Sequence, residues 1–379
     1  MKVTHTMNES PLGDDITKSA SKGENKSSVH LRFALQSAAR ELIPHERIRA
    51  CFRYHLPNED KVTVHHHKTA KKAYFSGLMV CGSIWHCPVC ANRVSEERRK
   101  ELHRSLMNWT GGLAMVTYTA SHHIGTPAKE LIEAITDGVR RFKSGRFFND
   151  AKQVYGWIGS AKALEITYGD NGWHPHVHEL IFFNSELGET ALDKLEFDMR
   201  IRWRDVLGAR GYLASTERGL VLQTADSKLA EYVAKWGHEP SIDNPNFRDK
   251  WSLDKELTKS AVKKGKKHGR TPTQMLLDYV AGDFQSGELW REYALAVKGK
   301  RQLVWSRGMR EMLRLGIEKT DEEIAAEIPG ETIVYATFNI DQWRKVLRHD
   351  LRGEILYRAG FMEQDEFSQW IASIIDNWI

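Results

Sequence analysis

The 379-residue chain contains no apolar run of about eighteen residues, the length a membrane-spanning helix requires, so no membrane partner is expected. Its first thirty residues are polar and lack the short apolar core of a secretory leader, which predicts no signal peptide and a cytoplasmic location. Cysteine is scarce: four in a chain of this length do not make a disulfide framework. No internal repeat is visible. What is present is 41% apolar and 10% aromatic residues, enough to bury a core and to exclude wholesale disorder. At about 150 residues per domain, the length suggests two or three domains. Net charge is only +5, but thirteen acidic against six basic residues follow from Glu318 onward, leaving +12 on the first 317. The basic part suits a polyanion; the acidic tail does not.

Composition shifts predict five segments. Residues 1–30, rich in Ser, Lys, Asn and Gly, read as a disordered arm. Residues 31–106 read as a small helical module carrying the cysteines and closing in a charged run, Arg93 to Arg104, typical of an exposed helix face. Residues 107–237 alternate strand and helix. A β-rich run over Leu113 to Ala120 precedes a helix with Leu131, Ile135, Val139 and Phe142 on one stripe. Strands Trp157 to Tyr168 and Trp173 to Phe183 flank Gly169-Asp170-Asn171-Gly172, a strong hairpin signal. A helix near Leu187 to Leu207, a strand at Leu220 to Gln223 and a helix from Ser227 to Trp236 complete the order. That β-α-β-β-α-β order predicts an α+β fold with a ferredoxin-like, split βαβ antiparallel sheet. Residues 238–273, with Pro240, Pro245 and Lys263-Lys264-Gly265-Lys266-Lys267, read as a basic loop or insertion. Residues 274–379 read as mainly helical, with Thr320 and Glu323 forming a capping box.

His174, His176 and His178 alternate, so their imidazoles leave one face of a strand. Counting back through the hairpin places Glu165 directly across from His176, with Cβ atoms about 5 Å apart, close enough to share a cation. Mixed nitrogen and oxygen donors accept Mg²⁺, Mn²⁺ or a heavier ion, and spacing does not choose among them. His174, nearest the turn, is the least secure ligand and is a candidate for orienting a ligand or substrate instead.

On the helix of Ser227 to Trp236, Leu229, Val233 and Trp236 form an apolar stripe, and Lys228, Tyr232 and Lys235 a polar one. Tyrosine, with a pKa of about 10, is a nucleophile only with cations nearby and a polarised target, and the two lysines supply positive charge. Taken alone, such a helix is ordinarily structural; the histidine strand is what makes Tyr232 a candidate. Cys51, Cys81, Cys87 and Cys90 match a closed tetrahedral zinc site, structural because four protein ligands leave no open position. His86 and His65-His66-His67 are rival ligands.

Together these segments resemble the initiator proteins of plasmids that replicate by rolling circle, the HUH endonuclease superfamily, in the branch with an N-terminal cysteine cluster. The likeness runs from Cys87-Pro88-Val89-Cys90 through Met115-Val116-Thr117-Tyr118-Thr119, Glu165 with His174-Pro175-His176-Val177-His178, and Tyr232-Val233-Ala234-Lys235. It continues to Leu289-Trp290-Arg291-Glu292-Tyr293, Lys298-Gly299-Lys300-Arg301 and Trp305-Ser306. The resemblance implies a metal-dependent DNA nicking and joining enzyme. In it, Tyr232 attacks a phosphodiester of a single-stranded or hairpin origin and joins the 5′ phosphate, with Lys235 beside the phenolate. His176, His178 and Glu165 hold Mg²⁺ or Mn²⁺, and host helicase and polymerase act as partners. Lys228 departs from the pattern, since some relatives carry a glutamate four residues before the tyrosine for the closing step; Tyr279 or Tyr293 are candidates for that step. A relaxase or single-strand transposase shares the same chemistry, and a non-catalytic zinc-containing DNA-binding regulator is the reading from another class.

Overall fold

The computed structural model describes residues 16–224 and 269–376. The expected helix of Ser227 to Trp236, with Lys228, Tyr232 and Lys235, and the basic run Lys263 to Lys267 lie outside the described residues. In chain order the elements are α1 (Ile16–Leu42), β1 (Lys61–His67), β2 (Ala73–Ser76), α2 (Pro88–Met107), β3 (Leu113–Tyr118), α3 (Ala128–Phe142), α4 (Gly145–Tyr155), β4 (Trp157–Gly169), β5 (Gly172–Phe183), α5 (Glu189–Gly208) and β6 (Leu220–Thr224). After the undescribed stretch follow β7 (Gly269–Arg270), α6 (Pro272–Val280), α7 (Phe284–Ala296), β8 (Leu303–Trp305), α8 (Met309–Met312), α9 (Asp321–Ala326), β9 (Thr332–Asn339), α10 (Ile340–Arg348), α11 (Arg352–Phe361) and α12 (Gln364–Asp376). The chain is a mixed α/β protein with antiparallel sheets and a largely helical C-terminal region.

It divides into two compact units, one drawn from Met1–Ala34, Phe52–Met79 and Ile328–Ile379, the other from Leu35–Cys51 and Val80–Glu327. The first unit holds a three-stranded sheet of order β2-β1-β9. Val62, Val64, Phe75, Phe338, Trp343 and Ile355 fill its core. This corrects two expectations. The segment 31–106, read as a helical module, has helix at both ends, but β1 and β2 lie between them and β1 pairs with β9, a strand some 270 residues later in the chain. Nor is residues 1–30 a disordered arm over its whole length: α1 is helical from Ile16. Phe33, Leu35, Ala38, Ala39 and Leu42 are buried along the C-terminal half of α1. A helix nucleated on such a stripe extends one hydrogen bond per residue at little further cost.

The second unit carries the six-stranded sheet, ordered β6-β3-β5-β4-β7 with β8 also on β4, every pair antiparallel. The β4–β5 hairpin turns through Asp170 and Asn171, neither of which takes positive φ; Gly172 does, at 89°. The turn is closed by a left-handed glycine, a conformation that costs a side-chain-bearing residue strain. A Cβ at Gly172 would also stand 3.2 Å from His123 O, so the loop after β3 rests on the hairpin tip.

One face of this sheet is covered by α3 and α5. The expected stripe Leu131, Ile135, Val139 and Phe142 is buried there, with Met199 and Trp203 of α5, and the Tyr118, Phe142 and Trp203 rings meet edge to face. The other face is covered at one end by a cluster of Leu102, Leu106, Met115, Ala161, Leu180, Phe182, Leu303 and Met309. Continuing along that same face at period two, Leu180 gives way to His178 and His176, and Ala163 to Glu165. The charged run on α2 is not a free face: Arg98 and Glu101 are buried, and Arg98 reaches Asp321 at 2.9 Å where α9 packs on α2.

Candidate metal centres and active site

Two groups of side chains among the described residues bring three or more metal-ligating atoms within 4.8 Å of one another: Cys51, Cys81, Cys87 and Cys90, and Glu165, His176 and His178. Both lie in the second unit.

The four thiols come from separate places, Cys51 after a short 3₁₀ turn, Cys81 in a loop, and Cys87 and Cys90 at the start of α2. Cys87 caps α2, its sulfur accepting from the Cys90 amide, with Pro88 in the first turn. All four are buried and none is in a disulfide. Sγ–Sγ separations are 3.5 Å for Cys51–Cys90, 3.7 Å for Cys81–Cys90 and 3.8 Å for Cys51–Cys87. Zinc bound at about 2.3 Å to each of four sulfurs sets them about 3.8 Å apart, so the cluster has the size of a structural zinc site. Burial opposes a charged Cys87, but hydrogen bonds from Cys51, Cys81, Cys90 and the Cys90 amide outweigh it and hold its pKa well below the usual thiol range. The Gln36 amide adds a further donor to the Cys87 sulfur at 3.2 Å. The rival histidines are engaged elsewhere. His86 Nε2 meets Ala294 O at 2.8 Å, His65 Nε2 meets Ser76 Oγ at 2.7 Å and His66 Nδ1 meets Ala359 O at 2.6 Å.

At the second group the register pairs Glu165 with His176 and Tyr168 with Trp173, the alignment the hairpin count requires. Glu165 Oε2 lies 3.3 Å from His176 Nε2 and 3.1 Å from His178 Nε2. Ligands about 2.1 Å from a hard cation stand about 3.0 Å apart when adjacent in an octahedron, so these three atoms have the spacing of a shared cation's ligands. Three donors leave positions open, unlike the four sulfurs. Thr117 Oγ1, on β3, lies 3.0 Å from His178 Nδ1. That contact holds the His178 ring with Nε2 facing Glu165. His176 Nδ1 is buried and finds no partner among the described residues. His174 stands apart from the three donors. Its Nδ1 lies 3.3 Å from Nδ1 of His122, in the loop after β3, and burial, then His176 and His122, push its pKa down to about 4.

Behind this group, on the opposite face of β5, Glu179 is fully buried. It accepts from Tyr118 Oη at 2.9 Å and Ser160 Oγ at 2.5 Å, and pairs with Lys143 at the end of α3. One carboxylate thereby ties β3, β4, β5 and α3 together beside His178. Burial, then Glu179, holds the Tyr118 phenol well above its usual range.

Thr117, His122 and Glu179 were not singled out from the sequence. His122 and His123, between a strand and a Gly-containing turn, carried a faint signal. Tyr293 is buried, its hydroxyl 3.4 Å from Trp85 O and its pKa raised by burial, which does not suit a nucleophile. Tyr279 sits on α6, its pKa raised by burial and then by Glu41.

The chain is similar to a protein of Streptomyces lividans named "Protein rep". The two are 26% identical over 351 residues, 73% of this chain and 74% of the relative. A second likeness, 29% identical over 135 residues, is to a "Neomycin resistance protein" of Streptomyces cyanogenus, and it spans 28% of this chain and 30% of that protein. No family model matches, and neither does a solved structure. No helix among the described residues is long and apolar enough to cross a membrane.

Proposed function

We propose that the protein is a replication initiator that nicks one DNA strand at a plasmid origin through a tyrosine-5′-phosphate and later rejoins it, starting rolling-circle replication. The observation that carries the reading is the convergence of Glu165, His176 and His178 on one face of an antiparallel sheet. Numbered along the chain, β3, β4, β5 and β6 lie in the order 4-1-3-2, that of two interleaved split βαβ units, in keeping with a ferredoxin-like HUH core. The likeness to "Protein rep" over most of both chains points the same way.

Glu165, His176 and His178 hold the catalytic ion, Mg²⁺ or Mn²⁺, which when bound polarises the scissile phosphate and stabilises its developing charge. Tyr232 supplies the nucleophile. Its hydroxyl gives up its proton to solvent and the phenolate oxygen forms a bond to phosphorus as the bond to the 3′ oxygen breaks; that oxygen takes up a proton from solvent and is left as a 3′ hydroxyl for a host polymerase to extend while a helicase opens the duplex. Lys235 stabilises the phenolate. Chain length permits the meeting. Tyr232 lies eight residues beyond Thr224; three extended residues reach about 10 Å and five on the expected helix a further 8 Å or so, about 18 Å in all. Thr224 pairs with Ala114, three residues along β3 from Thr117, which pairs with His178. That offset is about 10 Å along the strands and about 10 Å across two strand spacings. The cysteine cluster holds structural zinc, and the enzyme works in the cytoplasm on single-stranded or hairpin DNA.

The test is covalent capture. Purified protein with Mn²⁺ is incubated with labelled single strands tiled across the DNA that encodes it, and adducts are resolved on a denaturing gel. One strand should yield an adduct mapping to Tyr232 and absent from Tyr232→Phe. Equal adducts from both proteins would remove Tyr232 as nucleophile, and no adduct from any strand would favour a zinc-containing DNA-binding regulator.

A further inference from the structure

We infer that His174, held by His122, is a neutral hydrogen-bond donor for a phosphodiester oxygen beside the Glu165–His176–His178 group, rather than a fourth ligand. The inference rests on the proposed nicking chemistry and adds two residues to it.

The argument is one of proton placement. His122 Nδ1 lies 3.2 Å from Ala120 O and 3.3 Å from His174 Nδ1. A carbonyl only accepts, so His122 carries its proton on Nδ1. A protonated nitrogen cannot accept, so His174 Nδ1 must be the acceptor in the bond between the rings. His174 therefore carries its own proton on Nε2, in a neutral ring. Its ring centroid is 4.8 Å from that of His176 and 4.6 Å from that of His122, which is tilted against it at 51°. The loop holding His122 is pinned by the close approach of His123 and Ile124 to Gly172 at the hairpin tip.

A second cation between His122 and His174 does not fit. His122 Nδ1 is occupied by its proton, and no third donor joins the pair among the described residues. A neutral imidazole N–H is too weak an acid to protonate a leaving 3′ oxygen, but it is a good donor to charge growing on a phosphate. Set next to His176, it suits a non-bridging oxygen of a phosphate drawn in by a cation on the three ligands.

The experiment has four arms. In ¹⁵N-histidine spectra of the whole protein, the signals lost in His174→Ala should be those of an Nε2–H ring, and His122→Ala should blur that preference. Mn²⁺ affinity should stay within about threefold of wild type in His174→Ala and collapse in His176→Ala. The rate of adduct formation should fall about 100-fold in His174→Ala, the size of losing one preorganised donor. His174→Gln, whose amide N–H replaces Nε2–H, should recover at least tenfold of it. Inorganic phosphate, read by ³¹P relaxation from bound Mn²⁺, should bind about tenfold more weakly to His174→Ala. An Nδ1–H ring at His174, loss of Mn²⁺ in His174→Ala, or an unchanged adduct rate and phosphate affinity would each overturn the inference. If the wild type forms no adduct, the nicking reading falls, and the spectra and phosphate binding still decide the role of His174.

Discussion

The four-sulfur cluster and the Glu165–His176–His178 group sit in one compact unit, and they differ in how far each is enclosed and in how the chain brings its donors together. The sulfurs are fully enclosed, drawn from three stretches of the chain, and sized for zinc with no open position. The nitrogen and oxygen donors are three, come from one hairpin already fixed by backbone bonds, and leave coordination positions open. On the proposed reading, the first centre would need its metal for the fold and the second would need the fold for its metal.

The contrast breaks most sharply if the two centres respond alike to mutation. Cys90→Ser should reduce bound zinc from one per chain to none and lower the melting temperature by more than about 10 °C, measured by metal analysis and calorimetry. His176→Ala should leave zinc content and melting temperature unchanged within about 3 °C while abolishing Mn²⁺ binding, because the hairpin stands without its ion.

Glu179 sharpens the second half of the comparison, since the fold that prepares the hairpin depends on it. Glu179→Ala leaves the half-buried Lys143 ammonium without its carboxylate, and removing one partner of such a pair costs about 3 kcal/mol. Urea unfolding should show that loss together with weakened Mn²⁺ binding, because the strands carrying Thr117, Glu165 and His178 lose their common tie. Thr117→Val is subtler: Mn²⁺ affinity should fall about tenfold, with stability changed by less than about 1 kcal/mol, as expected for a group that only orients a ligand.

The smallest effect concerns a histidine that belongs to neither centre. Burial lowers the His65 pKa below its ordinary 6.5. Between the lowered value and 6.5 the unfolded chain binds more protons, so this contribution to stability is complete above pH 6.5 and is lost as pH falls through the folded value. His65→Gln should flatten the pH dependence of unfolding between pH 7 and 5, equally with and without Mn²⁺.

The β4–β5 hairpin was legible because its turn residues fix the pairing, and pairing fixes which side chains face each other. The stripe on α3 was legible for the same local reason. The strands β1 and β2 were not, since their partner β9 lies at the far end of the chain and no periodicity announces a pairing across that distance. His122 and Thr117 escaped because they reach the histidine strand from a neighbouring strand and its loop. The arginines of α2 read as solvated until α9, distant in sequence, packed against them.

By itself the sequence determined the local geometry: alternation put three imidazoles on one face, a tight turn set Glu165 opposite His176, and Cys-x-x-Cys at a helix start brought two sulfurs together. Tertiary structure decided which distant groups complete each centre. It added Cys51 and Cys81 to the pair on α2, Thr117 behind His178, His122 beside His174, and Glu179 with Lys143 beneath the sheet. Contacts within a turn or a hairpin follow from backbone stereochemistry over a few residues. Contacts between strands and loops far apart in the chain depend on how the whole core packs, and that is written in no single stretch of residues.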